Sequence, residues 1–389
     1  MESIQKKIGI IGGGQLGQMM ILEAKKMAFY ITILDPTPHC PAHTLVDDHI
    51  VADFEDAAAI RLLAQKSDVV TYEFEHINAQ VLEELEAEGH VVYPTAHSLA
   101  IIQNKLSQKS LLAKHGLAVP EFCPISNEKE MEEAGLSFSY PYMLKSCTGG
   151  YDGKGNFLVH SPEEIAEGFA ALGGGSLPLM AEKFFPFVME ISVLACRSAN
   201  GDIAVYPVAQ NHHIDSILDE TRVPADIRPE TTQAAMDLAR RVMEVFAGVG
   251  MFCVEMFVGP EGEVAVNEVA PRPHNSGHYT IEACVTSQFE QHIRAVSALP
   301  LGDPSLLRPA VMRNILGEEG FHGPAQVIGA EKALAIPGVT LHIYGKTDSK
   351  PKRKMGHLTA TAPTLAEAIE RAPVAHAAIR IQGTLPLHP

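Results

Sequence analysis

The chain has 389 residues, 46% of them hydrophobic, which is enough for two or three domains that each bury a core of their own. Its 30 Lys and Arg stand against 47 Asp and Glu, and a net charge of −17 excludes general attraction to nucleic acid or to an anionic membrane. Any anionic ligand must therefore be held by local clusters of cations. The six cysteines are widely spaced with no C-x-x-C pair, which argues against a disulfide framework or a zinc site and fits a cytoplasmic protein. No apolar run reaches the ~18 residues that cross a bilayer.

In chain order, "KIGIIGGGQLGQMMILEAKKM" predicts a buried strand, a glycine turn and a helix, followed by a second strand, "YITILD". "HIVAD" and "DVVTYEFEHI" read as further strands and "EDAAAIRLLAQKS" and "NAQVLEELEAEG" as helices, so the first hundred residues form a small parallel α/β domain. "VYPTAHSLAIIQNKLSQKSLLAKHG" predicts two helices, and "LAVPEFCPI" a linker, because Pro120 and Pro124 disfavour helix. A short α+β segment follows, and from residue 187 the chain turns to longer β runs. These include a hairpin across "ANGD" and a second, "MFCVEMFV" with "EVAVNEV", across "GPEG". The last ninety residues form a small mixed domain with the cationic segment "KTDSKPKRK".

Three stretches carry chemistry. "GGGQLG" fits G-x-G-x-x-G at Gly12, Gly14 and Gly17 directly after a strand, with Asp35 at the end of the next strand. That is the dinucleotide-binding fingerprint, and its plain alternative is a tight turn without a ligand. "KSCTGGYDGKGN" at 145–156 suits a phosphate cover but does not match the P-loop pattern. In the second hairpin, a four-residue loop at 259–262 would pair Glu255 with Val266 and set Glu268 diagonally on the same face. Two carboxylates there either face solvent or share a cation such as Mg²⁺, with Asn267 as a neighbouring oxygen donor. "NEVAPRPHNSGH" then adds Arg272, His274 and Asn275 beside prolines that stiffen the chain.

Together these motifs, with "YEFEHI", "NKLSQK", "EKFFPFVMEISV", "YPVAQNHH" and "KPKRKMGHL", resemble the ATP-grasp superfamily and, within it, the N5-carboxyaminoimidazole ribonucleotide synthetase family. The resemblance implies an α/β and α+β protein of three parts. These are an N-terminal Rossmann-like domain at 1–104, a two-lobed ATP-grasp domain at 105–300 with a lid lobe at about 120–185, and a small C-terminal mixed β domain at 301–389. ATP would contact Lys105, Lys145, Gly150, Tyr151, Asp152, Gly153, Lys154, Gly155 and Asn156 around its phosphates. Adenine and ribose would meet Glu182, Lys183, Phe184, Phe185, Glu190 and His213, with Asn267 and Glu268 beyond.

By the same resemblance, Glu255 and Glu268 would hold Mg²⁺, or Mn²⁺ in its place. The ribonucleotide substrate would meet Gln15, Glu73, Tyr151, Asp152, Asn275, Lys346 and Arg353, while Asp152, Arg272 and His274 would serve the chemistry. Implied partners are ATP, bicarbonate and aminoimidazole ribonucleotide, a second copy in a homodimer, and a separate mutase that takes the product. Neither nucleic acid nor membrane is expected. Rivals within the superfamily, such as biotin carboxylase, lack the "GGYDGKG" pattern, and an NAD-dependent oxidoreductase or a non-catalytic nucleotide sensor are the readings from outside it.

Overall fold

The structure is a computed structural model that describes residues 5–150 and 155–386. The N-terminal sheet runs in the order Asp48–Ile50, Tyr30–Leu34, Lys7–Ile11, Val69–Tyr72, with every pairing parallel. Lys7–Ile11 and Val69–Tyr72 are buried almost throughout, as expected of parallel strands covered on both faces by crossover helices. Those helices begin where the sequence provides caps. Asp56 accepts from the backbone N–H groups of Ala58 and Ala59, and Asn78 from that of Val81.

A four-stranded antiparallel sheet forms the lid lobe, in the order Phe122–Ile125, Leu179–Lys183, Tyr142–Ser146, Asn156–Val159. The segment expected as a linker thus supplies an edge strand. Pro124 is tolerated there because an edge strand leaves one row of its backbone groups unpaired.

The large sheet begins at Val264–Ala270 and continues through Gly250–Val258, Met189–Arg197, Ala209–Ile214 and Ile217–Val223. It then passes without a break into Ala310–Leu316, Lys354–Thr361 and Val339–Ile343, because Glu220 pairs with Arg313 and Val223 with Ala310. The C-terminal segment is therefore bonded rigidly to the central one. Beneath the first part of the sheet lies the helix Pro229–Phe246, whose buried Leu238, Val242 and Met243 join Val193 and Val254 in one apolar cluster.

The N-terminal domain is docked through the helix Gln288–Val296, whose Phe289 and Ile293 complete the core around Met20 and Ile31. A buried polar joint crosses this contact. His292 is fully buried, with Nε2 2.8 Å from Thr71 Oγ1, while its Nδ1 accepts from the Met251 N–H at 3.1 Å. The N–H therefore resides on Nε2. Burial pulls this imidazole down to about 3, so it stays neutral.

Candidate active site

The glycine turn holds an anion of its own. Gly14 N–H and Gly17 N–H each donate to the Glu73 carboxylate at 2.5 Å, and Gly13 N–H donates to Asp35 Oδ2 at 2.9 Å. Glu73 thus occupies the N-terminus of the Gln15–Lys26 helix, where a dinucleotide would put its pyrophosphate. A Cβ at Gly12 would lie 2.4 Å from Glu73 and one at Gly17 2.6 Å from the Gly12 carbonyl oxygen, so the glycines fit the carboxylate and the turn itself. Burial raises the Glu73 carboxyl, against the pull of the two N–H donors. Asp35, which a dinucleotide-binding turn would use on a ribose hydroxyl, is spent on Gly13 and on the Thr37 N–H.

The second hairpin corrects the expected register. Its loop spans five residues, 259–263, closed by Gly259 N–H to the Glu263 carbonyl with Gly262 at φ +87°. On that count alone Glu255 would face Asn267. A β-bulge intervenes, however, so that Met256 pairs with Val266 and Glu255 with Glu268, leaving Asn267 as the extra residue. The two carboxylates are direct neighbours on one face. Burial and the Glu268 charge push Glu255 up to about 7. Burial raises Glu268 as well, but Lys105, with Nζ 2.6 Å away, together with the charges of Lys145 and Lys109, outweighs that and lowers it.

Such a pair of hard oxygen donors, with the Asn267 amide adjoining and one carboxyl raised by burial and its neighbour's charge, fits Mg²⁺. Among the described residues no group of three or more His, Cys, Asp or Glu is placed to hold a metal, so the remaining ligands would come from water and phosphate.

Lysines face this pair across the cleft. Lys145 donates from Nζ to Glu182 Oε1 at 2.7 Å and to Asn267 Oδ1 at 3.3 Å, joining the lid sheet to the large sheet. Gly149 and Gly155 adopt φ +76° and +86° around the tip of the glycine loop, and the Gly155 carbonyl accepts from Ser146 N–H. Gly150 and Asn156 flank the tip; Tyr151, Asp152, Gly153 and Lys154 lie outside the described residues.

On the chemical side, Arg272 Nε is 2.9 Å from Glu75 Oε1, and His274 Nε2 is 3.7 Å from Glu255 Oε1. His274 Nδ1 accepts from the Ser276 N–H, which leaves the proton on Nε2. Burial and the Arg272 charge hold His274 well below its ordinary value, hence neutral. Asn275 and Asn314 exchange two amide hydrogen bonds at 2.9 and 2.8 Å.

Farther along the cleft, Phe184 is exposed, and Phe185 and Phe187 stack on Phe257 with ring centres 5.8 and 4.7 Å apart. Lys183 Nζ pairs with Glu121 at 2.6 Å. Glu190 lies 2.9 Å from His213 Nδ1; burial pulls that imidazole down, and the Glu190 bond more than offsets it. At the other end, Lys346 donates to the Lys354 carbonyl at 2.7 Å and Arg353 to the Asp348 carbonyl at 2.6 Å. Burial and Arg353 pull Lys346 down to about 8, while the Glu73 charge opposes them, which puts Lys346 within electrostatic reach of the N-terminal turn where Gln15 begins its helix.

Several contributors escaped the sequence reading. Glu182 stands among the residues expected at adenine and ribose, yet its carboxylate lies buried between Lys145 and Lys109, whose Nζ is 2.6 Å from Oε2. Lys109 follows Lys105 by four residues and precedes Leu112 by three, so it lies on the inward stripe of the Lys105–Lys114 helix, and that spacing was the available signal. Glu75, the partner of Arg272, stood in "YEFEHI" with no local pattern to mark it.

Comparison with known proteins agrees along the chain. Residues 5–103 match the ribonucleotide synthetase preATP-grasp domain, 110–289 the ATP-grasp domain, and 310–371 the phosphoribosylaminoimidazole carboxylase C-terminal domain. The N5-carboxyaminoimidazole ribonucleotide synthase of Bacillus subtilis (strain 168) is 42% identical over 353 residues, which cover 90% of each chain. The phosphoribosylaminoimidazole carboxylase of Vigna aconitifolia is 41% identical over 92% of this chain, and the chain spans 64% of that protein's length.

Among solved structures, N5-carboxyaminoimidazole ribonucleotide synthetase from Thermotoga maritima superposes with a TM-score of 0.89 at 45% identity, covering 97% of this chain and all of that one. The Aspergillus clavatus N5-carboxyaminoimidazole synthase in complex with ADP and 5-aminoimidazole ribonucleotide gives a TM-score of 0.88 at 36% identity, covering 96% and 99%. With three family models matched in chain order and its sequence and fold matched over nearly the whole length, this chain belongs to the N5-carboxyaminoimidazole ribonucleotide synthetase family of ATP-grasp enzymes.

Proposed function

We propose that the protein is a carbon–nitrogen ligase that uses ATP and bicarbonate to carboxylate the exocyclic amine of 5-aminoimidazole ribonucleotide, a step of purine biosynthesis. The observation that carries this reading is one cleft in which Lys105, Lys145 and Arg272 face the paired carboxylates Glu255 and Glu268. A site of that charge pattern is suited to transferring a phosphoryl group rather than a hydride. The fingerprint turn supports the same choice, since Glu73 fills the anion site a dinucleotide would need.

Bicarbonate oxygen attacks the γ-phosphorus, the bond to the β–γ bridging oxygen breaks, and ADP leaves with that electron pair. Carboxyphosphate then gives CO₂ and phosphate, and the amine nitrogen attacks the carbon while losing a proton. Lys105 and Lys145 neutralise the phosphate oxygens, and Arg272, fixed by Glu75, offers a planar donor to bicarbonate. His274 in its Nε2–H form donates a hydrogen bond toward the reacting oxygens. Glu255 and Glu268 would hold Mg²⁺, which would supply neutralisation of the phosphate charge. Residues 150–156 exclude water from the acid-labile anhydride. Lys346 and Arg353 take the 5′-phosphate of the substrate, and Asn275, braced by Asn314, lines the space between.

The protein acts as a homodimer that hands its product to a separate mutase. The six unpaired cysteines suit a cytoplasmic setting. The test is phosphate release from MgATP, expected only when bicarbonate and aminoimidazole ribonucleotide are both present; hydride transfer to NAD without ATP hydrolysis would refute the reading.

A further inference from the structure

We propose that Lys109 is a positioning residue for phosphoryl transfer, one that shares the Glu182 carboxylate and thereby keeps the charge of Lys145 available to the nucleotide phosphates. Lys109 is only 2% exposed and its Nζ lies 2.6 Å from Glu182 Oε2, while Lys145 Nζ takes Oε1 at 2.7 Å. The same ammonium reaches the Val266 carbonyl at 3.4 Å, on the strand that carries Asn267 and Glu268. One side chain therefore ties the lid strand to the strand bearing the carboxylates.

Charge counting gives the tie its meaning. Lys109 and Lys145 carry two positive charges against the single negative charge of Glu182, so the buried group has a net charge of about +1 at neutral pH. Without Lys109, Lys145 and Glu182 would close into a neutral pair, and Lys145 would have to break that pair to reach a phosphate. A tie between lobes could be made by apolar contacts at less desolvation cost, because a buried ionic group seldom gains stability over a well-packed apolar one. A second lysine on one carboxylate makes sense if the excess positive charge is what the site uses.

This inference rests on the ATP-dependent reading above, and a double-variant cycle tests it separately. Lys109→Met is expected to weaken MgADP binding and to lower kcat by about 10- to 100-fold, the range typical when a residue holding a ligating group is lost, with KM for the ribonucleotide unchanged. Adding Glu182→Gln returns the net charge to +1, so the double variant should bind MgADP more tightly than Lys109→Met alone. Lys109→Arg should retain most activity. If Lys109→Met does not fold by circular dichroism, Lys109→Gln keeps a polar contact without the charge and serves the same cycle. Wild-type MgADP affinity in the folded single variant, or no recovery in the double variant, overturns the inference. Because MgADP binding is read by calorimetry without turnover, failure of the carboxylation reading would show separately, as wild-type protein that releases no phosphate when both co-substrates are present.

Discussion

Acid should loosen the joint between the N-terminal domain and the large sheet, and His292 sets the size of the effect. Its two ring nitrogens are both engaged: Nε2–H meets Thr71 Oγ1, and Nδ1 accepts from Met251 N–H. Protonating Nδ1 would set a donor against a donor in a site without solvent. The folded-state value of about 3 lies below the ordinary 6.5, so this group stabilises the fold fully above pH 6.5 and loses that contribution as pH falls toward 3. A difference of about 3.5 units at ~1.36 kcal/mol each gives at most about 4.8 kcal/mol, removed at about 1.4 kcal/mol per pH unit below 6.5. His292→Asn keeps an acceptor near the Nδ1 position but cannot titrate. Urea unfolding from pH 7.5 to pH 4, followed by circular dichroism, should show the variant less stable at neutral pH yet flatter in its pH dependence. Parallel pH dependences for wild type and variant would refute the assignment.

Three further outcomes follow from the cleft and the turn. Glu268→Gln should leave the fold intact and cut turnover by more than the roughly 10- to 100-fold typical of an outer residue, because it removes one of two paired carboxylates; wild-type rates at limiting magnesium would exclude this pair as the metal site. Glu73→Gln sets an amide NH₂ against one of two backbone N–H donors and should cost about 1–3 kcal/mol, read as a lowered thermal midpoint. Glu75→Ala should free Arg272 and lower kcat by about 10- to 100-fold with little change in melting temperature, measured by steady-state kinetics.

The sequence made the alternation of the first hundred residues legible because parallel strands and their helices carry unlike periodicities, and the caps at Asp56 and Asn78 mark the helix starts. What fills the glycine turn was not legible. Glu73 lies 56 residues beyond Gly17, and only the pairing of Lys7–Ile11 with Val69–Tyr72 brings the two together. The register around Glu255 was hidden for a local reason, since a five-residue loop and a bulge each shift the count by one in the same sense, moving the partner of Glu255 from Val266 to Glu268, and neither has a residue signature as clear as Asn-Gly. Lys109 and Glu182 were each visible as charged residues in apolar company, but their pairing joins a helix to a strand of another lobe, which periodicity cannot report.

The bulge at Asn267 also acts as a parity element. Side chains on a strand alternate between two faces, so one extra residue decides which face every later position takes until the strand ends. With it, Glu268 stands beside Glu255 and Val269 stays buried; were Asn267 instead paired regularly with Glu255, Val269 would turn toward the cleft and the carboxylate away. Changing the identity of residue 267 alters one neighbouring oxygen. Deleting it would remove the bulge and still set Glu268 opposite Glu255, so the bulge is what keeps the carboxylates together as long as residue 267 is present.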